Sequence, residues 1–166
     1  MSSGPAVGTS APSIEVQQED GTPISFSELV ANKRVVLFGV PGSFTPGCSK
    51  THLPGFLKHA DEIKSKGVDL ILCISTDNFF IQAAWGQANN CAGKITMISD
   101  VSGDLCRALK LDLNLAVLRH GASYARFSSV LKNGVFTHVN VEPADKPTGL
   151  TCSLAGDELL KQLLSE

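Results

Sequence analysis

A chain of 166 residues, 43% apolar and 18% charged, has the length and composition of one globular domain with a substantial core. Its formal charge of -2 and the lack of any long basic run give no electrostatic reason to expect nucleic acid. The apolar runs are too short to span a bilayer, and no signal-peptide pattern opens the chain.

Residues 1–12 are small, polar and Pro/Gly-containing and read as a flexible N-terminal segment, leaving 13–166 as one domain without repeat or linker. Arg34 to Val40 is a short apolar, β-branched run, as expected of a strand buried on both faces, and Pro41-Gly42 breaks it. After Cys48, the residues Leu53, Phe56, Leu57, Ala60 and Ile63 recur at helical spacing, which predicts an amphipathic helix ending near Lys66-Gly67. Pro54 removes one backbone donor from it and predicts a kink. Val68 to Ser75 reads as a second buried strand. Asp77 is then expected to cap a helix running to about Asn89, and Ile95 to Ile98 makes a third strand.

Asp104 to Leu109 reads as a short helix. Phe127 to Lys132 and Val135 to Val141, joined by Asn133-Gly134, predict a β-hairpin with a type I′ turn. Asp157 to Leu164 closes the chain as an amphipathic helix. Alternating strands and helices followed by a hairpin and a last helix define an α/β sandwich with a mixed central sheet flanked by helices, of thioredoxin-like type.

Five cysteines occur, at 48, 73, 91, 106 and 152. The odd number, the size of the chain and the absence of a CxxC pair argue against a disulfide framework or a structural zinc site. Position therefore decides which thiols are reactive. Cys48 follows a Pro/Gly loop between a buried strand and a helix, so it falls in or beside the first helical turn. Unpaired N–H groups and the positive end of the helix dipole favour an anion there, hence a thiolate.

A more populated thiolate alone does not supply a large enzymatic acceleration; a group that polarises the bond under attack is also needed. Thr45, three residues earlier, is placed to hydrogen-bond both the thiolate and a substrate oxygen. Arg126, at the start of the hairpin, is the best-placed cation for charge on a leaving oxygen. Singly, Thr45 reads more readily as a helix cap, Pro41 and Pro46 as loop stiffeners, and Arg126 as a solvated hairpin residue. Together they point to chemistry at Cys48.

Pro41, Thr45 and Cys48 spell PxxxTxxC, and the run Gly39 to Phe56 reads GVPGSFTPGCSKTHLPGF. This resembles the peroxiredoxins, specifically their type II/type V branch, and most closely the animal peroxiredoxin V group. The resemblance continues through Lys66 to Val68, Trp85-Gly86, Asn140 to Pro143 and Gly149 to Leu154. It implies a thioredoxin fold, a homodimer, and reduction of hydrogen peroxide and organic hydroperoxides without metal or organic cofactor. In that pattern Cys48 is the peroxidatic cysteine, and Thr45 and Arg126 bind the peroxide oxygens. Pro41 shields the site, Gly47 and Cys48 offer backbone donors, and Phe44 and Phe127 form apolar walls.

The resemblance also implies that Cys152 resolves the oxidised Cys48 within one subunit, with thioredoxin as reductant. Pro143 to Gly149 would be a mobile loop for that step. Cys73 stands 25 residues after Cys48, as in plant type II enzymes, and is the alternative resolver, although its apolar run reads as buried strand. Cys91, after Asn89-Asn90, reads either as an exposed, oxidisable thiol or, like Cys106, as an inert one. His52 either touches the active-site network or is an ordinary helical histidine. Phe44, Phe79 and Phe80 suit a dimer face or core packing equally.

A general thiol–disulfide oxidoreductase would need the missing CxxC. A one-Cys peroxidase reduced by glutathione or glutaredoxin, and a redox-responsive binding module without turnover, remain as alternatives. The compartment expected is cytoplasmic or mitochondrial, and the C-terminus carries no peroxisomal tripeptide.

Overall fold

The computed structural model describes residues 3–114, 121–143 and 157–165. In chain order the strands are β1 (Glu15–Gln17), β2 (Pro23–Ser25), β3 (Arg34–Gly39), β4 (Leu70–Ser75), β5 (Thr96–Ser99), β6 (Asp112–Asn114), β7 (Ala122–Tyr124), β8 (Phe127–Lys132) and β9 (Val135–Val141). The helices are α1 (Phe26–Leu29), α2 (Leu53–Ser65), α3 (Phe79–Ala88), α4 (Asp104–Ala108) and α5 (Asp157–Leu164). Seven of the described strands form one sheet in the order β2-β1-β5-β4-β3-β8-β9, while β6 and β7 form a separate antiparallel pair. The central β3, β4 and β5 are parallel, whereas β8, β9, β1 and β2 join antiparallel. This mixed, helix-flanked sheet is the thioredoxin-like α/β sandwich expected from the sequence.

The apolar runs of β3 and β4 are continuous because both faces are covered. Period-two alternation sends Val36, Phe38, Ile71 and Cys73 to one core, against Leu53, Phe56, Ala60 and Ile63 of α2 and Leu159, Leu160 and Leu163 of α5. It sends Val35, Leu37, Leu72 and Ile74 to the other, against Phe26, Leu105, Tyr124 and Phe136. Each fully buried Leu, Ile or Phe contributes about 1.5–3 kcal/mol relative to exposure, so the two cores dominate stability. No described helix is long and apolar enough to cross a membrane.

The hairpin turns at Asn133 and Gly134, with φ of 51° and 75°, the two positive values that a type I′ turn requires. Beyond it the pairing slips by one residue between Val130 and Leu131, a β-bulge. Three further expectations are corrected by the structure. The N-terminal segment is not a loose tail: Gly8 N–H donates to Phe136 O at 2.8 Å, Phe136 N–H to Thr9 O at 3.0 Å, and Ala11 N–H to Gly134 O at 2.7 Å. It lies along β9, whose edge would otherwise present unpaired backbone groups. The cap of α3 is Asn78 rather than Asp77; Asn78 Oδ1 accepts from Ile81 N–H, three residues on, at 3.1 Å. The irregularity around Pro54 takes the form of a π-helical turn, Cys48–His52, just upstream of it. Such turns interrupt α-helices where the i→i−4 ladder is broken.

Gly39, at the end of β3, lies against Phe127 so closely that a Cβ would enter its ring. Gly39→Ala is therefore expected to cost about 1–3 kcal/mol through overpacking. Gly134→Ala, where a Cβ meets nothing within 4 Å, is expected to cost about 1–2 kcal/mol from backbone conformation alone. Urea unfolding of both variants beside the parent measures the two effects.

Candidate active site

The site forms where β3 ends and β8 begins. Because these strands run antiparallel with Gly39 opposite Phe127, the residue before β8, Arg126, comes beside the loop that follows β3. Consecutive residues point to opposite faces, so Phe127 enters the core under α1 and α4 while Arg126 reaches the opposite side, toward Cys48. The expected role of Phe127 as a wall beside Cys48 is thereby corrected. Phe44, the other expected wall, is a loop residue with φ of 60° and is 56% exposed.

Helical geometry starts at Pro46, a residue whose fixed φ and missing N–H suit a first turn. Cys48 thus lies in the first turn of the helix, fully buried. Ser49 N–H donates to Thr45 O at 2.9 Å, closing that turn, and Trp85 Nε1 of α3 donates to Ser49 Oγ at 3.0 Å. Arg126 Nη2 donates to Cys48 Sγ at 3.4 Å. Its Nη1 donates to His52 Nδ1 at 3.0 Å, and its Nε lies 3.4 Å from Glu142 Oε2 as an ion pair without hydrogen-bond alignment. Arg126 is only 6% exposed, so these partners are what permit its charge in the interior.

An arginine has no acceptor, so His52 Nδ1 must accept and its proton sits on Nε2. That Nε2–H is buried with no hydrogen-bond partner among the described residues, at a typical cost of about 1–3 kcal/mol. Phe38 and Phe56 pack edge-on to the imidazole at 5.2 and 5.5 Å between ring centres. Burial first, and the Arg126 charge second, hold His52 well below the usual histidine range, so it is neutral.

Thr45, expected to face the sulfur, is half-buried, and its hydroxyl donates to Gly42 O at 2.7 Å. Pro41 and Gly42 are buried, and Gly47 immediately precedes the π-turn. Their loop is tied down through Ser43: its N–H donates to Asp77 Oδ2 at 2.7 Å and its Oγ to Gln82 Oε1 at 2.6 Å. Gln82, fully enclosed on α3, also receives Ser75 Oγ at 2.8 Å and donates to Cys73 O at 3.1 Å. The sequence reading missed Gln82, Ser75 and Glu142, and took Asp77 for a cap. A polar residue inside an apolar helix (Gln82) and one at the end of an apolar strand (Ser75) were the available signals for the first two.

The remaining cysteines divide by burial. Cys73 shares a core with Cys48, and burial first, then the Cys48 and Cys91 thiols, push its own well above the usual thiol range. Cys91 is buried, the inert one of its two readings; burial and Glu19 push it up to about 11. Burial, then Asp100, push Cys106 up to about 12. Cys152 lies outside the described residues, as does most of the 143–149 loop.

Residues 6–154 match the Redoxin family. Peroxiredoxin-2B of Arabidopsis thaliana is 41% identical over 139 residues, covering 84% of this chain and 83% of the relative. The reduced Prx3 of Vibrio vulnificus superposes with a TM-score of 0.87 at 38% identity, over 96% of this chain and 98% of that one; a second structure of it, in complex with H2O2, gives 0.87 at 37% over 96% of each. Peroxiredoxin 5 of Alvinella pompejana gives 0.85 at 25% identity, over 97% and 99%. The chain belongs to the Redoxin family and, within it, to the type II/type V peroxiredoxins. It is an oxidoreductase, a thiol-dependent peroxidase.

The burial of neutral His52 has a consequence for stability. Unfolded, this histidine titrates near its ordinary 6.5; folded, well below it. Between those values the unfolded chain binds a proton that the folded one refuses, so the contribution is complete above about pH 6.5 and is lost as pH falls. Urea unfolding between pH 7.5 and 5.5 is expected to show a wild-type stability that drops more steeply than that of His52→Leu. The difference approaches about 1.4 kcal/mol per pH unit at the acid end.

Proposed function

We propose that the Cys48 thiolate attacks one oxygen of hydrogen peroxide or an organic hydroperoxide. The O–O bond breaks, the distal oxygen leaves as hydroxide or alkoxide and takes up a proton, and Cys48 becomes a sulfenic acid. The observation that carries this reading is the buried Arg126 guanidinium donating to Cys48 Sγ at 3.4 Å in the first turn of a helix. A fixed cation beside the attacking sulfur is also beside the oxygen on which negative charge develops. The H2O2 complex of the Vibrio vulnificus relative supports the substrate class. Thr45, Pro41 and the backbone N–H groups of Gly47 and Cys48 complete the peroxide pocket. Phe44 lies at its outer edge.

In the second half-reaction the Cys152 thiolate attacks the sulfenic sulfur, water leaves, and an intramolecular disulfide forms; a thioredoxin dithiol reopens it by exchange. Burial favours Cys152 over Cys73 as the resolver. A thiol held protonated inside the core is a poor nucleophile, and Cys73 is such a thiol. The protein works as a homodimer, for which the exposed Phe44 and Phe80 rings provide apolar surface. The free thiols of Cys48, Cys73, Cys91 and Cys106 suit a reducing compartment, cytosolic or mitochondrial.

The test is one equivalent of hydrogen peroxide added to the reduced protein, followed by non-reducing peptide mapping. A Cys48–Cys152 link is expected, together with loss of thioredoxin-supported turnover in Cys152→Ser and of all turnover in Cys48→Ser. A Cys48–Cys73 link would move the resolver. Undiminished turnover of Cys152→Ser with glutathione would establish one-Cys chemistry, and oxidation once without turnover a binding module.

A further inference from the structure

Arg126 is aimed at Cys48 by contacts that take no part in the bond changes just described. Its Nη1 is engaged by His52 Nδ1 at 3.0 Å and its Nε faces Glu142 Oε2 at 3.4 Å, which turns Nη2 toward the sulfur. An arginine side chain has many rotamers, and a donor displaced by about 1 Å loses much of its effect on a transition state. What fixes the fork therefore matters to the rate.

His52 is an unfavourable residue to place here for packing alone. It is 1% exposed between the rings of Phe38 and Phe56, and its Nε2–H has no partner among the described residues. Leucine or phenylalanine would fill this apolar slot without leaving a polar atom unsatisfied. Among the described residues, the one polar contact that an imidazole makes here and they could not is the bond from Arg126. Its chemistry also suits the task. A neutral imidazole accepts a hydrogen bond without neutralising the guanidinium, as a second carboxylate would, and an imidazolium would have no lone pair to offer.

We propose that His52 is a positioning residue: by accepting from Arg126 Nη1 it holds Nη2 on the Cys48 sulfur and on the leaving oxygen of the hydroperoxide. This rests on the reading of Cys48 as the peroxide nucleophile. His52 touches neither substrate nor sulfur in this account and acts only through Arg126.

The test compares two reactions of Cys48 in the full-length reduced protein: oxidation by hydrogen peroxide and alkylation by iodoacetamide. Both need the thiolate, but only the first develops charge on a leaving oxygen beside Arg126, so the ratio of their rate constants cancels the thiolate fraction. In His52→Leu the ratio is expected to fall about tenfold or more. In His52→Asn, whose Oδ1 offers an acceptor near the place of Nδ1, it is expected to stay within about threefold of the parent. An unchanged ratio in His52→Leu overturns the proposal and leaves the peroxidase reading standing. Equal losses in the Leu and Asn variants assign His52 a packing role and also overturn it. If His52→Leu does not fold, His52→Phe takes its place with the same thresholds. If Cys48 of the parent does not react with peroxide, the functional reading itself fails, a result separate from either of these.

Discussion

A guanidinium only 6% exposed is the constraint around which this structure is organised. Removing such a charge from water costs several kcal/mol unless partners replace the lost solvent. Arg126 finds three of them on two separate segments of the chain. Cys48 and His52 come from the two ends of one π-helical turn, and Glu142 from just beyond β9. The carboxylate offsets the charge, the imidazole accepts without offsetting it, and the sulfur receives the remaining donor. The polar cluster is thus tied to the sheet on one side and to the helix start on the other.

The fold was legible because both faces of the central sheet are covered. Apolar β-branched runs at Val35 to Val40 and Leu70 to Ile74 have no other stable use, and Asn133-Gly134 marks its own turn. Motif and resemblance pointed to Arg126 beside Cys48, and the structure brings the two together; it leaves the Thr45 hydroxyl, expected at the sulfur, on Gly42. Glu142 was not legible, and the reason is specific. Counting outward from a two-residue turn pairs Arg126 with Val141; the bulge between Val130 and Leu131 shifts the register by one and brings Glu142 opposite instead. A one-residue slip exchanges the faces of a strand, and nothing in the composition of β9 announces it. The role of Phe127 as a wall beside Cys48 was carried over from the resemblance, whereas strand alternation sends Phe127 to the core on the other face. The exposed reading of Cys91 failed because Asn89-Asn90 marks a helix end, whereas the chain turns inward directly after it.

The contacts that assemble the site also hold its helical turn shut. Trp85 grips Ser49 at one end, Arg126 grips His52 at the other, and Cys48 lies sealed between them. Reaction with a small peroxide needs those donors to stay in place. Passing the sulfur to a second cysteine in a different segment is not compatible with that enclosure, because the turn must first release both grips. Local opening of this kind draws on the least stable units of a fold, and a π-helical turn is a reasonable place for it. The two halves of the proposed cycle therefore ask for different conformations of the same five residues.

The central claim is that folding, rather than the presence of a thiol, makes Cys48 reactive toward peroxides. The most direct measurement is the second-order rate constant of Cys48 with hydrogen peroxide, followed by rapid quenching and peptide mapping, in the native protein and in urea at the same pH. The account predicts a native rate constant larger by about two to three orders of magnitude or more, the scale on which one preorganised donor acts. Equal rate constants in the two states would contradict it.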